Sequence, residues 1–215
     1  MTEQSNLHAL PLFPLGSVLF PGGLLPLRIF EVRYLDMISR CHKAGTPFGV
    51  VSLTQGTEVR VAGAATESFM PVGTLAQIRE FDSPQAGLLQ IECLGTRRFE
   101  VRQSAQLKHG LWTADVALLP DDMAVEVPPD LRHTANALRQ LVEAIGQQRG
   151  DDDPDQPRLP IASPFRYDDC GWLSNRWCEL LPMSNALKQQ LMTLDSPLMR
   201  LELVSDLLAR NGIAG

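Results

Sequence analysis

The chain has 215 residues, 44% of them hydrophobic and 20% charged, and a formal charge of −6. That length carries one large domain or two small ones around a substantial core. The acidity argues against a dedicated nucleic-acid binder, whose phosphate contacts need a basic face, although four of the acids fall in "DDDPD" (Asp151–Asp155) and leave the remainder near −2.

The N-terminus "MTEQSNLHAL" lacks the basic and apolar regions of a signal peptide. The apolar run that follows, "LPLFPLGSVLFPGGLLPLRIF" from Leu10, is broken by Pro11, Pro14, Pro21, Pro26 and Arg28. It falls short of the ~20 residues needed to span a bilayer, so the expectation is a cytoplasmic protein. Proline cannot donate to a sheet ladder and is confined to strand edges, starts and bulges. Pro11 and Pro14 have opposite parity, which predicts a bend within "LPLFPL", a turn at "FPGG" and a second strand in "LLPLRI". "IFEVRYLDMISRCHKAG" then has helical spacing, with Phe30, Tyr34, Ile38 and Cys41 on one stripe and Gly45 as its stop.

Further strands are expected in "FGVV" (Phe48–Val51) and "GTLAQIREFD" (Gly73–Asp82). In "LLQIECLG", Leu89, Ile91 and Cys93 share one face. Gly95 and Thr96 are expected to turn the chain into "RRFEVRQ", with Phe99 and Val101 facing in and Arg98, Glu100 and Arg102 facing out, before a last strand in "WTADVALL". From Pro129 the period becomes helical. Leu131, Ala135, Leu138, Val142 and Ile145 form one stripe. An acidic, proline-rich loop at 150–164 leads to three more helices: one with Leu173, Trp177 and Leu180 on a face, one capped by Ser184, and one capped by Ser196 with Pro197 in its first turn and Gly212 at its exit. The pattern is α+β, with a β-rich unit at 1–122 and a helical unit at 123–215.

This order of elements resembles the N-terminal substrate-binding domain of the Lon protease family. The matching stretches are "LPLFPLGSVLFPGGLLPLRIFEVRYLDMI", "FGVV", "VGTLAQI", "IECLGTRRFEV", "LLPMS" and "LDSPLMRLELV", covering nearly the whole chain. Val32 departs from the family, which commonly starts this helix with proline. The resemblance implies a PUA-like pseudo-barrel of about six strands followed by a helical bundle. Full Lon proteases add an ATPase module and a Ser-Lys protease domain. No GxxxxGK[ST] loop occurs here and the three lysines have no such domain to serve, so the expectation is a stand-alone, non-enzymatic module.

The residues offer little chemistry. Cys41, Cys93, Cys170 and Cys178 show no CxxC spacing and read as reduced core thiols. Cys41 and His42 point about 100° apart on a helix and make a poor metal pair, so no metal or cofactor is expected. Asp121–Asp122, Asp151–Asp153 and Asp168–Asp169 fall at loops or helix starts, where acids solvate or cap. Two surfaces could bind. Phe20, Leu24 and Leu25 around "FPGGLL" could form an apolar lip for unfolded or exposed polypeptide, the alternative being burial in the barrel. Arg79, Arg97, Arg98 and Arg102 could form a face for an anionic ligand, the alternative being a solvated face paired with Glu80, Glu92 and Glu100. The best reading is a binding module for unfolded segments, with a separate ATPase or protease partner left open. The alternatives are an enzyme or small-ligand binder with a pocket between barrel and helices, or a weak RNA binder.

Overall fold

The structure, a computed structural model, describes residues 6–58, 67–148 and 161–213. Six strands come first, with one helix among them: β1 (Asn6–Leu15), β2 (Leu24–Ile29), α1 (Val32–Ala44), β3 (Phe48–Gln55), β4 (Ser68–Gln85), β5 (Leu88–Gln106) and β6 (Trp112–Leu118). The sheet runs β2-β5-β4-β3-β1-β6, and β5 also pairs with β6, which closes the barrel and leaves β2 outside the ring. A 3₁₀ turn (Pro129–Leu131) opens the helical half, followed by α2 (Arg132–Gln148), α3 (Cys170–Leu180), α4 (Asn185–Met192) and α5 (Pro197–Arg210). Among the described residues no helix is long and apolar enough to cross a membrane. Of the expected acidic loop at 150–164, residues 150–160 lie outside the described residues.

The prolines of β1 are accommodated by divided pairing. Its first part, through Leu12, runs antiparallel to β6, whereas Leu12–Leu15 runs parallel to β3. Pro11 therefore faces only β6 and Pro14 only β3, so each needs just one partner strand. The bulge comes earlier than expected, between Leu7 and Leu10, where Ala9 takes a φ of 51°.

Gly95 corrects the sequence reading. No turn occurs there; β5 runs unbroken from Leu88 to Gln106, pairing β2 through Leu94 and β6 from Phe99 onward. Gly95 is small for another reason. The "FPGG" turn rests on it, with Gly22 N–H donating to the Gly95 carbonyl (2.7 Å) and Gly95 N–H donating to the Gly23 carbonyl (2.8 Å). A Cβ on Gly95 would overlap the Phe20 carbonyl oxygen.

Three apolar clusters follow. Leu10, Leu12, Val51, Leu75, Phe99 and Val116 fill the barrel. Phe13, Phe48 and Ile91 pack beneath α1 with Tyr34, Met37, Ile38 and Cys41. The third joins Leu138, Leu173, Trp177, Leu201 and Val204 of the helices to Phe20. The α1 stripe starts a turn later than expected, because Glu31 is still extended (φ −75°, ψ 130°) and leaves Phe30 outside the helix. Helix α3 is buried all round from Cys170 to Cys178, rather than on one face, because it lies between the other helices and the turn of the barrel. All four cysteines are free and buried. Ser184 and Ser196 cap α4 and α5 as expected, accepting from the N–H groups of Leu187 and Met199.

The two halves are also held by charge. Asp122 accepts from Arg98 Nη2 of β5 (3.2 Å) and from both terminal nitrogens, Nη1 and Nη2, of Arg200 of α5, at 2.6 and 3.1 Å. Arg98 adds the carbonyls of Met192 (2.7 Å) and Pro120 (3.2 Å), and Arg200 adds Asn175 Oδ1 (2.9 Å). Both arginines are buried, at 6% and 1% exposed.

Two stability measurements check this picture. Phe20→Ala should cost about 3–5 kcal/mol in urea denaturation, the range for a buried Phe. Asp122→Ala should cost a similar ~3–5 kcal/mol, because it strands two buried guanidinium groups.

Candidate functional site

Two exposed large apolar side chains lie where β2 runs into α1. Phe30 is 57% and Val32 80% exposed. They are held outward by what their neighbours do. Arg33 is buried, taking Glu31 (3.1 Å), Glu67 (2.9 Å) and the Gly110 carbonyl (2.8 Å), and Trp112 Nε1 donates to the same Glu67 (2.8 Å). Tyr34 turns inward and stacks on Phe13, with ring centroids 4.0 Å apart. Anchoring at 33 and 34 leaves the residues at 30 and 32 facing away from the core.

Beside them is a small hollow of about 80 Å³, with Phe13, Leu15, Leu27, Ile29 and Tyr34 among its walls and Arg28, Glu31 and Glu58 at its charged edges. Strand β2 ends the sheet, so one of its edges has no strand partner among the described residues, and Pro26 removes an N–H from it. An apolar corner, a hollow and an open strand edge together can hold an extended chain through main-chain and apolar contacts.

The profile of the ATP-dependent protease La (LON) substrate-binding domain matches residues 9–210. The chain belongs to the Lon substrate-binding domain family. The Lon N-terminal domain protein from Xanthomonas campestris superposes with a TM-score of 0.66 at 30% identity, over 93% of this chain and 98% of that one. The N-terminal domain of the Mycobacterium avium complex Lon protease gives 0.55 at 16% identity, over 92% and 96%, a likeness of fold. Zebrafish cereblon (Danio rerio) is 23% identical over 197 residues, which are 87% of this chain but 44% of cereblon.

Of the sequence candidates in this Lon-type domain, Phe20 is not a lip. It is 0% exposed, buried among the helices, and Leu24 and Leu25 are half-buried on β2. The apolar surface lies a few residues downstream, at Phe30 and Val32. The signal missed was Glu31, whose extended backbone ends the strand and frees Phe30 from the helical stripe. The arginine face is divided as well. Arg98 faces the helices instead of solvent, because β5 is covered there by α4 and α5, while Arg97 pairs with Asp121 (3.5 Å), Arg102 with Glu100 (3.1 Å), and Arg79 is exposed. Asp122, expected to solvate a loop, is the acceptor between the halves.

Two further concavities lie elsewhere. A cleft of about 220 Å³ between the "FPGG" turn and α3 is lined by Arg98, Asp122, Arg166, Asp169 and Trp172, charges that already pair with one another or with Arg200. An open groove of about 560 Å³ runs between α2 and the 165–168 segment. Among the described residues no cluster of His, Cys, Asp and Glu is arranged to hold a metal.

Beneath the turn, Arg176 donates to the carbonyls of Gly22 and Pro21 (2.9 Å for Pro21) and pairs with Glu179 at 3.0 Å. Burial pushes the Glu179 carboxyl from 4.5 up to about 8, against the pull of Arg176 and Lys188 toward the charged form. The folded protein thus keeps a proton that the unfolded chain releases, and this group's contribution to stability falls as pH rises from about 4.5 to about 8. Urea midpoints measured across that range should decline in the wild type and decline less in Glu179→Gln, whose neutral side chain has no proton to lose.

Proposed function

We propose that this Lon-type domain is a non-catalytic cytoplasmic module that binds unfolded or exposed polypeptide segments at the β2–α1 corner. The observation that carries the reading is the pair Phe30 and Val32, 57% and 80% exposed, with Phe30 at an apolar hollow and next to the β2 edge that has no strand partner among the described residues. Singly exposed apolar residues are ordinary on protein surfaces. Here Phe30 lines a hollow whose other walls include Leu27, Ile29 and Phe13, and Val32 follows two residues on, so an apolar side chain from another polypeptide has a place to go. Membership in a substrate-binding family supports the same reading.

Binding of this kind draws on apolar area and main-chain hydrogen bonds, so it is broad in sequence preference and little affected by salt. The arginine face supports it less, since Arg98 serves the interior and two of its neighbours are paired.

The test is a double variant, Phe30→Ser with Val32→Ser, in an assay of aggregation suppression on a chemically unfolded client. Both side chains are exposed, so stability should stay within about 0.5 kcal/mol per site, while suppression should fall sharply and should be insensitive to salt in the wild type. A variant that folds normally and suppresses aggregation as well as wild type would remove the corner from the reading.

A further inference from the structure

The groove on the helical half has a composition that the β2–α1 corner lacks. Its basic wall is one face of α2, with Arg132, Asn136 and Arg139 at i, i+4 and i+7. Arg139 is pre-positioned: its guanidinium lies 4.7 Å from the Tyr167 ring centroid and donates to Asn136 Oδ1 (3.1 Å). Arg132 is exposed and has no ion-pair partner among the described residues. The opposite wall is aromatic. Phe165, 42% exposed, packs at 5.6 Å from Tyr167 and 6.2 Å edge-on to Trp172, and Tyr167 meets Trp172 at 5.4 Å. Val127 and Ala135 add apolar surface to the groove.

Two carboxylates, Glu126 and Asp168, also line it. They decide the class of ligand. A phosphate dianion would meet them as repulsion, and a simple cation would meet the two arginines. A peptide C-terminus satisfies both walls: its single carboxylate suits the guanidinium forks, its apolar last side chain suits Phe165, and its preceding amide N–H groups suit the acids. The volume of about 560 Å³ is that of an ordinary ligand site and takes a few residues of chain.

We propose that this groove binds the free C-terminus of a polypeptide ending in apolar residues, with Arg132 and Arg139 holding the terminal carboxylate and Phe165 the last side chain. The site is separate from the β2–α1 corner, and it selects chain ends where the corner selects apolar segments anywhere in a chain.

The experiment is fluorescence anisotropy with one labelled decapeptide ending in Phe-Leu, made as the free acid and as the carboxamide. The free acid should bind at least about tenfold more tightly than the amide, a difference of roughly 1.4 kcal/mol. Arg132→Ala, at an exposed helix start, should abolish the preference and leave the thermal midpoint unchanged, and Phe165→Ser should weaken both peptides. The Phe30→Ser/Val32→Ser protein should retain the acid preference, which separates failure of this proposal from failure of the corner. Equal binding of acid and amide, no binding of either, an unaltered preference in Arg132→Ala, or displacement of the peptide by inorganic phosphate would overturn it.

Discussion

The Asp122 carboxylate joins the two halves of the molecule. Just beyond the last barrel strand, it takes one guanidinium from β5 and a second, two-pronged, from α5. The arginines spend their other donors on carbonyls or an amide: Met192 of the helical half and Pro120 beside Asp122 for Arg98, and Leu191, Leu194 and Asn175 of the helical half for Arg200. Buried charge is costly unless paired and fully hydrogen-bonded, so this arrangement tolerates little relative movement of barrel and helices.

A second, smaller clamp works on the same junction. Arg176 grips the "FPGG" turn by its carbonyls, and the turn is in turn hydrogen-bonded to Gly95 of β5. The space above Gly23 is occupied by the Glu179 carboxyl group, which a Cβ there would displace. The stretch of sequence richest in breakers is thus a wedge: its prolines and glycines let the chain leave β1, carry Phe20 into the helical core and return as β2. Fixing the wedge fixes where β2 begins, and through Glu31 and Arg33 where Phe30 and Val32 end up.

The two proposed binding surfaces lie on opposite units and use different physics. The corner on the barrel is apolar with an open edge. The groove on the helices is bipolar and aromatic. Two such weak contacts on one flexible chain would raise its effective concentration at both.

Much of the fold was legible from local rules. Alternation in Leu89–Cys93, the stripe from Leu131 to Ile145, and the caps at Ser184 and Ser196 each depend on near neighbours in the chain, and the α+β order followed from them. Parity failed at Arg98 and spacing failed at Phe30, for one shared reason. Whether an outward position is solvated depends on what packs against it from afar. Arg98 meets Met192, 94 residues on, and Phe20 meets helices from the other half of the chain. The sequence determined which segments are strands and helices, because periodicity and capping are local. Only the tertiary structure decided which arginine is buried, which phenylalanine is exposed, and which aspartate pairs across the junction, because those depend on contacts that no local pattern encodes.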